Sequence, residues 1–221
     1  MRFGAFGDIH GGFDETRRII QQHPDVPFWV CVGDVADEAG RYEPLGAPLY
    51  WIKGNNENFD AIASGDLPVG LHYIPNGSLV TIRGVRIAAL GGTYAPTMYE
   101  VAAAELPHPK KRTPKATAAA DRRRHFVREE VAACSHMREV DILLTHEAPR
   151  PFRVKGIDAG KTPINDVLAA MQPRLHLFGH HHTFVESRVQ GVRSVCLDRV
   201  PRSYLLLEPA TLTYQVESSS L

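Results

Sequence analysis

The sequence has few cysteines and no long apolar run, and both shortages narrow the class of protein. Its three cysteines, Cys31, Cys134 and Cys196, are odd in number and lack zinc-motif spacing, so neither a disulfide framework nor a thiolate metal site is expected. No apolar run reaches the roughly 18 residues of a membrane-spanning helix, and no basic and then apolar leader precedes the first predicted strand. We therefore expect a cytoplasmic protein that does not span a membrane.

The chain also lacks a net charge, with 25 Lys and Arg residues against 25 Asp and Glu residues. It has no overall attraction for nucleic acid or acidic lipid, so any preference for a polyanion must come from a local patch. One such patch runs from Glu105 to Lys115 and combines three prolines with Lys110, Lys111, Arg112 and Lys115. It could bind nucleic acid, but a solvated surface loop is the favoured interpretation.

Apolar and helical patterns alternate along the 221 residues, and no repeat or long linker divides them. We therefore predict one α/β domain that spans residues 1–221. Four helices are predicted: Asp14 to about Gln22, Asn58 or Asp60 to Ser64, Thr117 to about Val140, and Pro163 to Met171 with Thr162 as its cap. Antiparallel strand pairs are predicted around Gly84, around Gln190 and Gly191, and around Pro209.

Five short polar motifs each follow a short apolar stretch. The motifs are Gly7-Asp8-Ile9-His10-Gly11, Gly33-Asp34-Val35-Ala36-Asp37, Gly54-Asn55-Asn56-Glu57, Thr145-His146-Glu147 and Gly179-His180-His181-His182. The stretches before them run from Phe3 to Phe6, Phe28 to Val32, Leu49 to Ile52, Ile142 to Leu144 and Leu175 to Phe178. Each motif is therefore predicted to be the loop after a buried strand, at the sheet edge where ligands bind in open α/β folds.

Seven side chains in these motifs are candidate metal ligands: Asp8, His10, Asp34, Asn55, His146, His180 and His182. Carboxylate, imidazole and amide groups together suit manganese, iron or zinc, whereas an all-oxygen set would suit magnesium or calcium. Seven ligands are too many for one four-coordinate ion but fit two ions that share a carboxylate. In an extended segment Asp8 and His10 point to the same side, and His181 points away from its neighbours.

The histidines outside the motifs are predicted to be ordinary surface or core residues: His23, His72, His108, His125, His136 and His176. A single buried histidine is more often a hydrogen-bonded core residue than a metal ligand, and none of these six belongs to a motif. They therefore offer internal controls for the site.

The five motifs, in this order, resemble those of the calcineurin-like metallophosphoesterase superfamily from residue 1 to about residue 200. The resemblance implies two stacked mixed β-sheets flanked by helices, with two divalent ions. The donor types make manganese the expected metal, with iron or zinc as alternatives. It implies that Asp8, His10 and His182 hold one ion, that Asn55, His146 and His180 hold the other, and that Asp34 bridges them. A metal-bridging hydroxide would attack phosphorus, and Asp37 and Glu147 are expected to orient ligand imidazoles.

Two departures from the family pattern bear on the substrate. Phosphoprotein phosphatases of the superfamily carry an arginine after the second motif, but Asp37 is followed here by Glu38, which argues against a protein phosphatase. The histidine that usually follows the ligand Asn is replaced by Asn56, beside Glu57, the residue type that would orient it.

Because an amide cannot protonate a leaving group, the second departure favours a phosphodiesterase acting on a small phosphoester or nucleotide. A broad phosphomonoesterase is the alternative enzyme. A scaffold without catalysis is the alternative from another class, although all seven positions can bind metal. The predicted catalytic positions are Asp34, Asn55 and Asn56.

Overall fold

The computed structural model describes residues 2–106 and 121–218. The first of its two large sheets is mixed and has six strands. Its strands are β1 (Phe3–Phe6), β2 (Trp29–Cys31), β3 (Leu49–Trp51), β4 (Leu71–Tyr73), β13 (Ser203–Leu207) and β14 (Tyr214–Ser218). They lie in the order β14-β13-β1-β2-β3-β4. The strands β1 to β4 are parallel, whereas β13 is antiparallel to β1 and to β14.

The second sheet also has six strands and mixes both directions. Its strands are β5 (Leu79–Ile82), β6 (Val85–Leu90), β7 (Ile142–Thr145), β10 (Leu175–Phe178), β11 (Val185–Val189) and β12 (Val192–Cys196). They lie in the order β11-β12-β10-β7-β6-β5, with a parallel centre and an antiparallel strand at each edge. The short strands β8 (Arg153–Val154) and β9 (Ile157–Asp158) form a separate hairpin.

An apolar core fills the space between the two sheets. Phe3 and Val30 enter it from the first sheet, and Ile87 and Leu144 enter it from the second, all fully buried. Since neighbouring residues of a strand face opposite sides, the residues between them face outward and need separate cover. The predicted class, two stacked mixed sheets flanked by helices, is confirmed.

Helices provide that cover on both outer faces. They are α1 (Phe13–Gln22), α2 (Phe59–Ser64), α3 (Arg128–Ser135) and α4 (Thr162–Met171). Ile19 of α1 packs with Trp29 on the first sheet, and Val131 of α3 and Val167 of α4 pack in the cluster that holds Leu143 of the second sheet. In residues 2–106 and 121–218, none of the helices has the length and apolar character that a membrane crossing requires.

One predicted helix cap is correct, the cap of α4 is off by one residue, and the cap of α1 is off by two because Gly12 takes that position. The side chain of Asn58 caps α2 by accepting a hydrogen bond of 3.1 Å from the backbone N–H of Ala61. Helix α1 begins at Phe13, one residue before the predicted cap Asp14. Thr162 is the first residue of α4 and not its cap, a position that Lys161 takes.

The predicted helix from Thr117 to about Val140 is wrong in its described part, because the α-helix there covers only α3. Residues 117–120 lie outside the described residues, and Arg122–Arg124 forms a 3₁₀ turn. The ammonium group of Lys53 explains the break, since it donates to the carbonyl groups of Arg123 and His125 at 2.8 and 3.0 Å. Those carbonyls therefore do not serve a helical hydrogen-bond ladder.

Candidate metal centre

The five motif loops follow β1, β2, β3, β7 and β10, and they bring the predicted ligands into one cluster. In its first half, His182 Nε2 lies 3.0 Å from Asp8 Oδ2 and 3.2 Å from His10 Nε2. His10 Nε2 lies 3.6 Å from the same Asp8 oxygen. These donor atoms are close enough together to surround one ion.

In the second half of the cluster, His146 Nε2 lies 3.1 Å from Asn55 Oδ1 and 3.2 Å from His180 Nδ1. Asp34 stands between the halves, with Oδ2 3.4 Å from His10 Nε2 and Oδ1 3.7 Å from His146 Nε2. The first sheet supplies the carboxylates, the amide and one imidazole, and the second sheet supplies the other three imidazoles. The assignment of each side chain to one of two ions remains a prediction.

The backbone is in the left-handed conformation at four of these seven positions. His10, Asp34, His180 and His182 have φ values of 46°, 51°, 69° and 49°. Residues with a Cβ seldom adopt this left-handed conformation, and it concentrates at functional sites where the surroundings hold it in place. The expectation that Asp8 and His10 share a side because their segment is extended is therefore wrong: a left-handed turn at His10 brings the two together.

Two motif glycines let carboxylates approach the backbone closely. A Cβ added to Gly54 would lie 2.0 Å from Asp34 Oδ1, and one added to Gly179 would lie 2.3 Å from Asp8 Oδ1. Neither glycine has a positive φ, so their role here is to leave space. The two carboxylates reach the centre because these glycines have no side chain.

A main-chain carbonyl fixes the orientation of His146. Its Nδ1 lies 2.9 Å from the carbonyl oxygen of Val32, which can only accept, so Nδ1 carries a proton and Nε2 is free to bind metal. The expectation that Asp37 and Glu147 orient ligand imidazoles is wrong for the contacts described. Asp37 accepts from the backbone of Ala39 and from Arg41, and Glu147 accepts from the backbone N–H of Tyr94.

Asn56 contacts the candidate bridging carboxylate directly. Its side-chain amide donates to Asp34 Oδ2 at 2.9 Å, and its backbone N–H donates to Asp34 Oδ1 at 2.8 Å. Glu57, the residue type that would orient a histidine at position 56, has no hydrogen bond to Asn56 among the described contacts. The buried Glu57 carboxylate instead accepts from Tyr42 and from the backbone N–H groups of Val35, Ala36 and Gly54.

The contacts of Asp8 in the cluster keep its carboxylate ionised. Burial alone would raise the pKa of Asp8, but hydrogen bonds from His10 and His182 outweigh it and hold that pKa well below its usual range. Burial works against a proton on His146 as well, yet the charges of Asp34 and Asp8 raise its pKa. Burial and the nearby charge of His146 lower the pKa of His180 to about 4.

The donor atoms fit two divalent ions. Because His146 Nδ1 carries its proton toward Val32, Nε2 and Asn55 Oδ1 face each other as acceptors at 3.1 Å. Acceptors this close are stable when a positive charge lies between them, and a metal ion or a second ring proton supplies one. Imidazole nitrogen, amide oxygen and carboxylate oxygen together form a set that suits manganese, iron or zinc.

A cleft of about 620 Å³ opens beside the first half of the cluster. His10 and His182 lie at its wall together with Asn56, Asp60, Arg123 and Arg199. His181 does not join them in this lining: its ring packs on Phe152 at a centroid distance of 4.6 Å. The prediction that His181 points away from its neighbours is therefore only partly met, because its ring also meets the His180 ring edge-on at a centroid distance of 5.0 Å.

Three cations around the site escaped the sequence patterns. Lys53 is buried and binds main-chain carbonyls, and Arg199 lies in the cleft. Burial lowers the pKa of Arg124, and the nearby charges of Asp34 and Glu147 only partly offset this effect. A lysine directly after a buried strand and before a motif was a usable signal for Lys53. Arg124 belongs to a run of three arginines, which favoured an ion-paired helix face over a binding patch. Nothing in the local sequence marks Arg199, because its surroundings come from distant segments.

The basic segment from Glu105 to Lys115 cannot be placed against the cleft. Lys110, Lys111, Arg112 and Lys115 lie outside the described residues. The neighbouring Arg123 is ion-paired with Asp121 and Asp60, as an ordinary structural arginine would be.

Known structures share this fold at low sequence identity. The chain is similar to TT1561 of Thermus thermophilus, with 12% identity, a TM-score of 0.68 and 99% of each chain covered. GAP50, the anchor in the inner membrane complex of Plasmodium, has 13% identity and a TM-score of 0.56, over 100% of this chain and 85% of that one. YfkN of Bacillus subtilis, a calcineurin-like phosphoesterase, has 14% identity and a TM-score of 0.50, over 99% and 90%.

The sequence was also compared with curated proteins and with family models. No curated protein matches the chain. A family model described as calcineurin-like phosphoesterase matches residues 1–184, which include all five motifs and the seven clustered side chains. The chain therefore belongs to the calcineurin-like phosphoesterase family and is a metal-dependent phosphoester hydrolase.

Proposed function

We propose that the chain hydrolyses phosphodiesters at a centre of two divalent ions. Asp8, His10 and His182 hold one ion, Asn55, His146 and His180 hold the other, and Asp34 contacts both. Ions bound there would lower the pKa of a water molecule and neutralise charge on the phosphoryl oxygens. The clustering of these seven side chains, 3.0 to 3.7 Å from one another along the chain of contacts, supports this assignment.

Asn56 carries the preference for diesters. It lies in the cleft wall beside His10 and His182, and its amide donates to Asp34, so its role is to position that carboxylate. An amide has no proton to give at neutral pH, so this position offers no acid to a departing alkoxide. Substrates with a good leaving group, such as aryl or nucleotide-derived diesters, are therefore favoured over alkyl phosphomonoesters.

Manganese is the proposed metal, with iron or zinc as alternatives, because the mixed nitrogen and oxygen donors suit ions of this type. A small phosphoester or a nucleotide is the proposed substrate, since the cleft holds a molecule of that size. We also propose a reducing compartment such as the cytoplasm. Its support is the state of Cys31, Cys134 and Cys196, which are free and buried.

The variants Asn56→His and Asn56→Ala test the preference. In Asn56→His an imidazole at the cleft wall can protonate the leaving group, so kcat/KM for an alkyl phosphomonoester should rise about tenfold. An aryl diester should gain much less, because its phenolate leaves without a proton. Asn56→Ala removes the amide without adding an acid, so neither substrate should gain. The comparison is made as kcat/KM across a pH series with manganese.

One result would remove the support for a diesterase. If the wild-type protein already hydrolyses alkyl monoesters as fast as aryl diesters, an acid from position 56 does not limit the reaction. A broad phosphomonoesterase would then be the better description. A scaffold role is the remaining alternative, and the fold also occurs in a protein described as an anchor. A purified protein that contains almost no metal after growth with manganese would favour that role.

A further inference from the structure

Arg199 is a cation at the cleft wall that the proposed chemistry has not used. It follows β12, and it lines the cleft together with His10, His182 and Asn56. Its Nε is buried, and among residues 2–106 and 121–218 that nitrogen has no hydrogen-bond partner. The other arginine of the cleft wall, Arg123, differs because it pairs with two carboxylates, Asp60 and Asp121.

The backbone around Arg199 is fixed against the first motif. Its N–H donates to Asp198 Oδ1 at 2.7 Å, and the next residue, Val200, donates its N–H to the carbonyl oxygen of Asp8 at 3.2 Å. Gly7 packs so tightly on this turn that an added Cβ would lie 2.0 Å from the carbonyl oxygen of Asp198. These contacts fix the backbone of Arg199 beside the candidate ligands.

A guanidinium group at this cleft wall should prefer a ligand with anionic oxygen acceptors. A buried donor without a partner loses free energy that a ligand can restore, so the site gains from an acceptor that enters the cleft. A planar guanidinium matches two oxygens of a phosphoryl group with two parallel hydrogen bonds. Phosphoprotein phosphatases of the family have an arginine for this task after the second motif, where this chain has Glu38.

We propose that Arg199 binds the phosphoryl group of the substrate and so replaces the arginine that is missing after the second motif. The inference rests on the proposed function, because it places the phosphoryl group between the candidate metal ligands and the β12–β13 turn. It deepens that function by assigning the specificity for a phosphoryl anion to a residue outside all five motifs. Arg199 is thus a substrate-binding residue and not a metal ligand.

Calorimetric binding of inorganic phosphate to the manganese-loaded protein tests the proposal without any turnover. Arg199→Gln should weaken phosphate binding about tenfold or more, because a charge-assisted pair of hydrogen bonds is lost. Arg199→Lys should recover part of the affinity, since it keeps the charge but not the planar fork. Arg188→Gln is the matched control: it removes the charge of an exposed arginine that donates to the carbonyl oxygen of Gly191, and it should bind phosphate like the wild type.

Kinetics and metal content separate binding from a structural role. For an aryl phosphodiester, Arg199→Gln should raise KM more than it lowers kcat, with metal content and thermal stability unchanged. Phosphate binding within about twofold of the wild type, or loss of the metal, would overturn the proposal. If the wild type hydrolyses no phosphoester yet loses phosphate affinity in Arg199→Gln, the proposed function fails while the binding role of Arg199 stands.

Discussion

At the scale of single residues, the position of the Asp34 carboxylate depends on Gly54, which has no side chain to displace it. In Gly54→Ala the new methyl group would overlap Asp34 Oδ1, so the carboxylate must move away from its place between the two halves of the cluster. Metal affinity should fall about tenfold to a hundredfold, as it does when the support of a ligand is removed. Equilibrium dialysis with manganese measures this change.

Gly65→Ala is the control for Gly54→Ala, because it strains the backbone without crowding a metal ligand. Gly65 has a positive φ of 73° at the end of α2, and no atom of the described residues lies within 4 Å of an added Cβ. This variant should lose about 1 kcal/mol of stability and keep its metal affinity. Equal metal affinity in Gly54→Ala and the wild type would show that the close approach of Asp34 is not needed.

The sequence was enough to predict which residues cluster at the site, but not which groups they contact. Asp8 and His146 could be found because each follows a predicted strand in a known motif order. The acceptor that orients His146 could not be found, because it is the main-chain carbonyl of Val32, more than a hundred positions away. Asp37 was a plausible partner for a ligand imidazole only because it is near the ligands in sequence. In the structure its side chain accepts a hydrogen bond from Arg41 instead.

At the scale of elements, the buried Lys53 contributes two of the contacts that hold the segment from Asp121 to Phe126 in place. Lys53→Met keeps the apolar stem but leaves the carbonyl groups of Arg123 and His125 without their donor. Unfolding free energy from urea titration should fall by about 1–3 kcal/mol, the usual cost of a buried polar group that loses its partner.

The control for this variant is the exposed Lys155, in the turn between β8 and β9. Lys155→Met should change the unfolding free energy by less than about 0.5 kcal/mol, as surface substitutions usually do. If both methionine variants were equally stable, Lys53 would not hold the segment in place.

The same lysine explains where helix prediction failed. Alanines and paired charges after Thr117 favour a long helix locally, and local preference is all that a single sequence shows. The segment from Asp121 to Phe126 pairs instead with distant groups, including a bridge between Thr93 and His125. The strands before the motifs were predictable within one residue at each end, because their apolar runs record burial on both faces of a sheet.

At the scale of the whole molecule, stability should depend on pH through the buried His176. Its Nε2 lies 2.8 Å from Thr145 Oγ1 and its Nδ1 lies 3.1 Å from Ser194 Oγ, so the neutral ring is fully paired. Burial lowers its pKa to about 3, whereas the unfolded chain takes up the proton near the ordinary value of 6.5. The stabilisation is therefore complete above pH 6.5 and is lost as the pH falls toward 3.

His176→Gln isolates this contribution in metal-free protein. Over that pH range the wild type should lose up to about 1.4 kcal/mol of unfolding free energy per pH unit relative to the variant. The difference in unfolding free energy between the two proteins, from urea titrations at several pH values, should therefore shrink as the pH falls. A constant difference would mean that His176 takes up its proton equally well in the folded and unfolded states.

The overall architecture was predictable because motif order and strand pattern agree. Five apolar runs, each followed by a polar motif, imply parallel strands with a shared active edge, and β1, β2, β3, β7 and β10 fulfil this. What could not be predicted is the shape of the cleft, because Arg199 reaches it from a turn after all five motifs. Its contribution depends on how the β12–β13 turn packs on Gly7.

The metal content of Asp34→Asn tests the central claim most directly. In the wild type, purified from medium with manganese, we expect two metal ions per chain by elemental analysis. Asp34→Asn replaces the anion between the two halves by a neutral amide, so both ions should be held more weakly. Its hydrolytic activity should fall at least about a hundredfold, equivalent to ~3 kcal/mol of electrostatic stabilisation. His136→Gln, at an exposed histidine outside the motifs, should keep two ions and near-normal turnover. An Asp34→Asn protein with two ions and near-normal turnover would contradict the account.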